Sequence, residues 1–342
     1  MHAFITGLAG TELSEEERAF LRDAQPWGFI LFKRNVTSAE QVRRLIGDVR
    51  ATLGRSAPVL IDQEGGRVQR LGPPHWAAYP PGAAYGALYD RDRDTGLAAA
   101  RLGARLIAAD LTALEIDVDC LPIADVPGAG ADPVVGDRAY GTEPAKVAAI
   151  AGAIAAGLGE GGVLPVLKHI PGHGRATADS HAKLPVVKTD RATLEATDFA
   201  AFRPLATLPL AMTAHVVFTA IDPVAPATIS ATIVQGVIRD SIGFEGLLMT
   251  DDISMGALSG SIAERTRAAI AAGCDVVLHC NGEMAQMRAV AAEAPVLAGE
   301  ARRRADAALA AKRPPAPIDL PASRAAFLRM MDGAWQPSER IA

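Results

Sequence analysis

Residues 163–181 read Val-Leu-Pro-Val-Leu-Lys-His-Ile-Pro-Gly-His-Gly-Arg-Ala-Thr-Ala-Asp-Ser-His. The first five are an apolar run of strand length, entered from a glycine pair at 161–162, as expected of a strand buried on both faces. The character then changes within one residue to Lys168 and His169, followed by a stretch whose proline and glycines make it a loop. The same step recurs three times: residues 58–61 lead to Asp62 and Glu64, 208–212 to His215, and 246–249 to Asp251 and Asp252. In a barrel of parallel strands these C-terminal ends converge on one rim, where active sites of such folds are built. Further apolar runs at 3–6, 28–32, 116–121 and 274–278 bring the strands to eight. Helical periodicity lies between them at 14–24, 38–53, 95–115, 143–158 and 262–272. Ser14 with Glu17 and Ser38 with Gln41 have capping-box spacing at two helix starts. The alternation predicts an α/β protein, a closed (β/α)8 TIM barrel in a single domain over residues 1–312, rather than an open doubly wound sheet. The Pro-rich stretch 313–317 reads as a linker, and residues 313–342 as that linker and a C-terminal helical tail packed on the barrel.

The chain has 342 residues, 49% hydrophobic and 21% charged, with net charge −5 and mean hydropathy +0.16. That balance excludes a disordered or collagen-like chain. No long Lys/Arg run marks a nucleic-acid or anionic-membrane surface, and no stretch of about 18 uncharged apolar residues marks a membrane span. Cys120, Cys274 and Cys280 are odd in number and match neither a zinc ribbon nor a CxxC pair. With an N-terminus that lacks a basic region, they place the expectation in the cytoplasm.

Asp62, first off its strand, is the expected ligand contact in Asp62-Gln63-Glu64-Gly65-Gly66-Arg67, while Glu64 and Arg67 read equally as a salt-bridged surface turn. The loop after Lys168 holds three of the seven histidines. Asp179 and His181 stand two apart, so an extended backbone projects both to one side, and an aspartate orienting an imidazole is a recurrent acid/base device. His173 is expected to make hydrogen bonds within the loop. A zinc site of His169, His173 and His181 with a carboxylate is the metal alternative, but the spacing matches no zinc motif and no metal is expected. In the pair Asp251-Asp252 one acid can act as nucleophile while the other is held by hydrogen bonds, with a helix cap as the competing role for Asp252. A strand-end aspartate facing a mobile acid/base suggests covalent catalysis at a sugar carbon. Trp76 and Trp335 form no stacking pattern and read as packing residues, and glycines 157–162 precede a strand, so they are no nucleotide loop.

The stretches IDQEGGRVQRL (61–71), GDRAYG (136–141), KHIPGHGRATADSH (168–181), MTAHV (212–216) and GFEGLLMTDDISMGAL (243–258) together resemble the bacterial β-N-acetylhexosaminidases of glycoside hydrolase family 3. The resemblance spans essentially the whole chain. It implies a barrel that removes terminal β-linked N-acetylglucosamine with retention, without metal or cofactor. It implies Asp251 as nucleophile and His181, assisted by Asp179, as acid/base, where a generic pair of carboxylates would have nominated Asp62 or Glu64 as the acid. Asp62, Arg70, Arg138, Lys168 and His169 would hold the sugar. The implied partner is a small molecule, a cell-wall turnover fragment in which N-acetylglucosamine is joined to 1,6-anhydro-N-acetylmuramic acid with or without peptide, and neither nucleic acid nor membrane. A phosphorylase using the same site, a metal-dependent amidohydrolase, and a catalytically dead sugar-binding protein are the alternatives.

Overall fold

Apolar residues in each strand run send alternate side chains to opposite faces, and both faces are buried. The computed structural model describes residues 1–336 except 129, 131, 133, 177–179 and 181–182. The barrel strands are β1 (His2–Gly7), β2 (Pro26–Leu31), β3 (Val59–Ile61), β4 (Val118–Asp119), β5 (Leu164–Ile170), β6 (Leu210–Thr213), β7 (Leu247–Met249) and β8 (Val277–His279). They pair in parallel in the spatial order β7-β6-β5-β4-β3-β2-β1-β8. A single parallel bridge, Met249 to Val276, closes the ring, helped by the Leu278 N–H donating to Thr250 Oγ1 at 2.9 Å. All eight strands read from the sequence are present, and the fold is the expected (β/α)8 barrel.

The two-residue period decides where the core sits. Ile5, Ile30, Leu60, Val118, Val166, Met212, Met249 and Leu278 fill the barrel interior. Their neighbours Phe4, Phe29, Val59 and Leu167 face outward into the layer shared with the helices. Ala305 and Ala308 belong to the interior cluster, so their helix, Gly299–Ala310, covers the N-terminal mouth. The opposite mouth is left for the site.

Helix boundaries follow their caps. Ser14 and Glu17 make the full capping box at α1 (Glu15–Ala24). At α2 (Ala39–Leu53) Ser38 Oγ accepts from the Gln41 N–H, but the Gln41 side chain accepts instead from the Thr37 N–H at 2.9 Å, so the expected box is only half formed. The helix read over 95–115 begins earlier, at Arg93, where Asp92 caps it, and is preceded by α3 (Gly82–Arg91). We label it α4 (Arg93–Thr112). Among the described residues no helix is long and apolar enough to cross a membrane.

Beyond the Pro-rich stretch, a last helix, Leu320–Met330, lies on α4. Its Phe327 is 3% exposed and packs where Gly103 leaves room: a Cβ there would come within 2.8 Å of the Phe327 ring. Arg324 donates to Asp110 at 2.7 Å, and Tyr79 Oη donates to the other oxygen of the same carboxylate at 2.6 Å. Replacing Phe327 with Ala is expected to cost about 3 kcal/mol, the cost of an unfilled aromatic site, read by denaturant unfolding. A cost under about 1 kcal/mol would mean that this helix is not docked on α4.

Candidate active site

The first wall of the open mouth is built by the chain leaving β3. After Asp62 it forms a short antiparallel hairpin, Gln63–Gly65 against Val68–Gln69. Gly65 turns it at φ 93°, with Pro80 O so near that any Cβ would lie 2.3 Å away, a conformation and an approach open only to glycine. Gln63 then locks the hairpin: its Oε1 accepts from the Arg70 and Leu71 amides, both at 3.0 Å. The return brings Arg70 Nη2 to 3.0 Å from Asp62 Oδ2.

Lys168 on β5 supplies the second wall. Its ammonium is 3.0 Å from Asp62 Oδ1 and 2.6 Å from Glu64 Oε1, and the side chain is only 2% exposed. Arg138, in the loop between β4 and the helix Pro144–Glu160, grips Glu64 with two parallel bonds of 2.7 and 2.8 Å. Burial alone would push both carboxyls up, but Lys168 beside each, with Arg70 or Arg138, holds them below the usual carboxylate range, Glu64 at about 2. Glu64 is therefore a buried ion-paired residue of the site and not part of a surface turn. Arg67 does pair at the surface, with Asp137 at 3.1 Å.

His169 turns on Asp125, which is fully buried: its Nδ1–H donates to Asp125 Oδ2 at 2.7 Å, and the His173 N–H donates to the other oxygen at 2.7 Å. The parallel bridge Ile123 to Lys168 extends β4 alongside β5 and so carries Asp125 into place. With Nδ1 engaged, Nε2 is the nitrogen of His169 left for the cavity. His173 does make the hydrogen bond expected within its loop, Nε2 to Ser180 Oγ at 3.1 Å, and burial beside His169 lowers its imidazole to about 4. It is neutral above that pH.

On the far side β7 ends and Asp251 follows. Its Oδ1 accepts from the Asp252 N–H at 2.8 Å, and Oδ2 has no partner among the described residues. Burial raises this carboxyl, yet the imidazoles of His169 and His215 and the Asp252 amide bring it below the usual range. Asp252 differs from the helix cap weighed above, because the next helix starts only at Ile262. It accepts instead from Ser254 N and Oγ at 3.1 and 2.7 Å and from the Cys280 N–H at 3.1 Å, tying the turn after β7 to the end of β8. The fully buried His215 Nε2–H donates to the Asp252 carbonyl at 2.9 Å, and its Nδ1 pairs with Thr228 Oγ1 at 2.7 Å.

Six of the eight residues expected in the site, Asp62, Arg70, Arg138, Lys168, His169 and Asp251, line one cavity of about 310 Å³. Asp179 and His181 lie outside the described residues. Ser180, between them in sequence, is buried against His173, and its carbonyl accepts from the Ala257 N–H at 3.1 Å. Sequence reasoning did not assign Asp125 or Thr228 a role. Asp125 carried a usable signal, since it follows the fourth apolar run as the other acids follow theirs. Among the described residues the cavity is lined by four carboxylates, of which Asp62, Glu64 and Asp252 have both oxygens engaged and Asp251 has one open. Neither Asp62 nor Glu64 carries a proton to give near neutral pH.

Residues 5–309 match the family model of the glycosyl hydrolase family 3 N-terminal domain. A β-hexosaminidase of Alkalilimnicola ehrlichii is 42% identical over 279 residues, covering 80% of this chain and 79% of its own. NagZ from Neisseria gonorrhoeae, solved in complex with N-trifluoroacetyl-D-glucosamine, superposes with a TM-score of 0.84 at 31% identity, covering 96% of each chain. The same Neisseria protein solved with a zinc ion gives a TM-score of 0.82 at 30% identity, again covering 96% of each.

The depressed Glu64 carboxyl fixes the sign of a pH effect. Its folded value of about 2 lies below the ordinary glutamate value of 4.5, so its stabilisation is complete above about 4.5 and is lost as pH falls toward 2. Glu64→Gln is expected to lower the melting temperature at pH 7 and to show a shallower fall between about pH 5 and 3 than the parent. Parallel curves for the two proteins would mean that the carboxyl is not held down.

Proposed function

The chain belongs to glycosyl hydrolase family 3 and is a glycoside hydrolase, and on that premise we propose that it is a retaining β-N-acetylglucosaminidase whose nucleophile is Asp251. The observation that carries this reading is that, among the described residues, Asp251 is the cavity carboxylate with an unengaged oxygen, Oδ2, while Asp62, Glu64 and Asp252 have both oxygens engaged. In the reaction the terminal sugar occupies the 310 Å³ cavity. Asp62, Arg70, Arg138, Lys168 and His169 meet its hydroxyls and acetamido group. Asp251 attacks the anomeric carbon as the glycosidic bond breaks. His181, oriented by Asp179, gives its proton to the departing oxygen. Water then attacks the glycosyl ester, His181 takes its proton, and Asp251 is released with the sugar in its original configuration. The assignment of His181 and Asp179 rests on the Asp-Ser-His motif, and the buried Ser180 between them supports a loop that reaches the cavity wall.

The substrate in this reading is N-acetylglucosamine linked to 1,6-anhydro-N-acetylmuramic acid, with or without peptide, met in the cytoplasm. Three unpaired cysteines, two of them buried, support a reducing compartment.

Chelator-resistant release of free N-acetylglucosamine from its aryl β-glycoside, with no turnover of the aryl β-glucoside, is the expected result. Sugar phosphate formed in the presence of phosphate would move the activity to a phosphorylase, and loss with chelator followed by return with zinc would move it to a metal enzyme. Asp251→Asn is expected to lower kcat roughly a thousand-fold or more. His181→Ala is expected to spare aryl substrates with good leaving groups relative to poor ones, and equal losses on both would remove His181 as the acid.

A further inference from the structure

Behind Asp251 runs an unbroken chain of hydrogen bonds in which each proton has one place. A carbonyl oxygen only accepts, so the 2.9 Å contact between His215 Nε2 and the Asp252 carbonyl puts a hydrogen on Nε2. Burial pushes the imidazole below its ordinary value, against the pull of the Asp251 and Asp252 carboxylates, and the neutral ring leaves Nδ1 bare, as an acceptor. Thr228 Oγ1 lies 2.7 Å from Nδ1 and directs its single proton there, with the Ala214 carbonyl at 3.1 Å the longer alternative. With the Thr228 proton committed, its 2.8 Å contact with Thr213 Oγ1 has the Thr213 hydroxyl as donor. The order is therefore Thr213 to Thr228 to His215 to the Asp252 carbonyl. All three side chains are fully buried, and none of them lines the 310 Å³ cavity. Thr213 and His215 stand at the end of β6, whereas Thr228 comes from the separate short turn Ala227–Ile229.

Resting on the reading of Asp251 as nucleophile, we propose that Thr228 is a positioning residue for it: its hydroxyl selects the Nε2–H tautomer of His215, and that N–H holds the Asp252 carbonyl and with it the backbone that presents Asp251. The other tautomer would turn a bare Nε2 lone pair toward the Asp252 carbonyl oxygen 2.9 Å away, two buried acceptors face to face, and the carbonyl would have to move. That movement reaches the nucleophile directly. The Asp252 N–H is the donor to Asp251 Oδ1 at 2.8 Å, and this bond sets which carboxylate oxygen is left for the cavity. On the β8 side the turn is pinned by the Ile253 N–H donating to the Leu278 carbonyl at 2.9 Å and by the Cys280 N–H donating to the Asp252 carboxylate. On the β6 side His215 is the pin, and Thr228 decides which of its nitrogens carries the hydrogen.

Nitrogen-15 NMR of the histidine-labelled parent enzyme reads the tautomer, with the His215 signals assigned by their absence from His215→Gln. A protonated Nε2 and a bare Nδ1 at neutral pH are expected, and an imidazolium or an Nδ1–H ring would overturn the proposal. On p-nitrophenyl β-N-acetylglucosaminide, Thr228→Val is expected to lower kcat and kcat/KM together by about thirtyfold with KM within about twofold, the pattern of a misplaced reacting atom rather than of lost sugar binding. Thr228→Ser keeps the hydroxyl and should recover the rate to within about threefold of the parent, with the Nε2–H signal retained. Thr213→Val removes only the outermost donor and should lose less than Thr228→Val. Equal losses in Thr228→Val and Thr228→Ser, a Thr228→Val enzyme with the parent rate, or a rise in KM at unchanged kcat would each overturn the proposal. The parent tautomer and the Thr228→Ser rates decide it even where Thr228→Val does not fold. Absence of turnover by the parent, or a covalent glycosyl label on a residue other than Asp251, would instead overturn the nucleophile reading, and the present one with it.

Discussion

The buried ammonium of Lys168, set between the carboxylates of Asp62 and Glu64, is the interaction on which the open mouth of the barrel depends. Withdrawing one ion from water costs several kcal/mol unless its partners are close and fully engaged. Here Arg70 and Arg138 complete that engagement, so three cations and two carboxylates hold β3, β5 and the loop after β4 in one arrangement. The same pairing sets the protonation of the site. Asp62 and Glu64 are kept as carboxylates, which unsuits them for proton donation. In the proposed mechanism the acid then comes from elsewhere, and His181 is assigned that part.

The division of labour follows from rigidity. Asp251 sits immediately after a barrel strand, with its backbone fixed by Asp252, which is bonded to Ser254 and Cys280 and backed by His215. In the proposed mechanism Asp251 is the nucleophile and gains from such fixing, because its attack requires one trajectory. His169 is held likewise by Asp125 from the neighbouring strand. The proposed acid/base, His181, must first donate and then accept a proton, and it lies in a stretch of sequence, 171–182, whose glycines and proline are those of a loop.

Much of the fold was legible because each parallel strand is buried on both faces and so reads as a short unbroken apolar run. The rim was legible because polarity changes at the C-terminal end of those runs. What could not be read was which polar residues would meet. Glu64 was open between surface and interior because its fate is decided by Arg138, 74 residues away, and by Lys168 on another strand. Asp252 carried the composition of a helix cap, but the helix begins ten residues later, and its amide partners come from the turn and from β8. At Ser38 the local pattern was right and the partner was off by one residue, since Gln41 reached Thr37 instead. Trp76 and Trp335 were read as packing residues, and they do pack against the core.

Covalent trapping discriminates most sharply among these roles. A 5-fluoro derivative of N-acetylglucosaminyl fluoride, whose glycosyl-enzyme ester turns over slowly, would be incubated with the enzyme, and the adduct located by peptide mass spectrometry. The proposed mechanism predicts one glycosyl ester, on Asp251, at one label per chain. A label on Asp62, Glu64 or Asp252, or no label together with an inverted product, would contradict it.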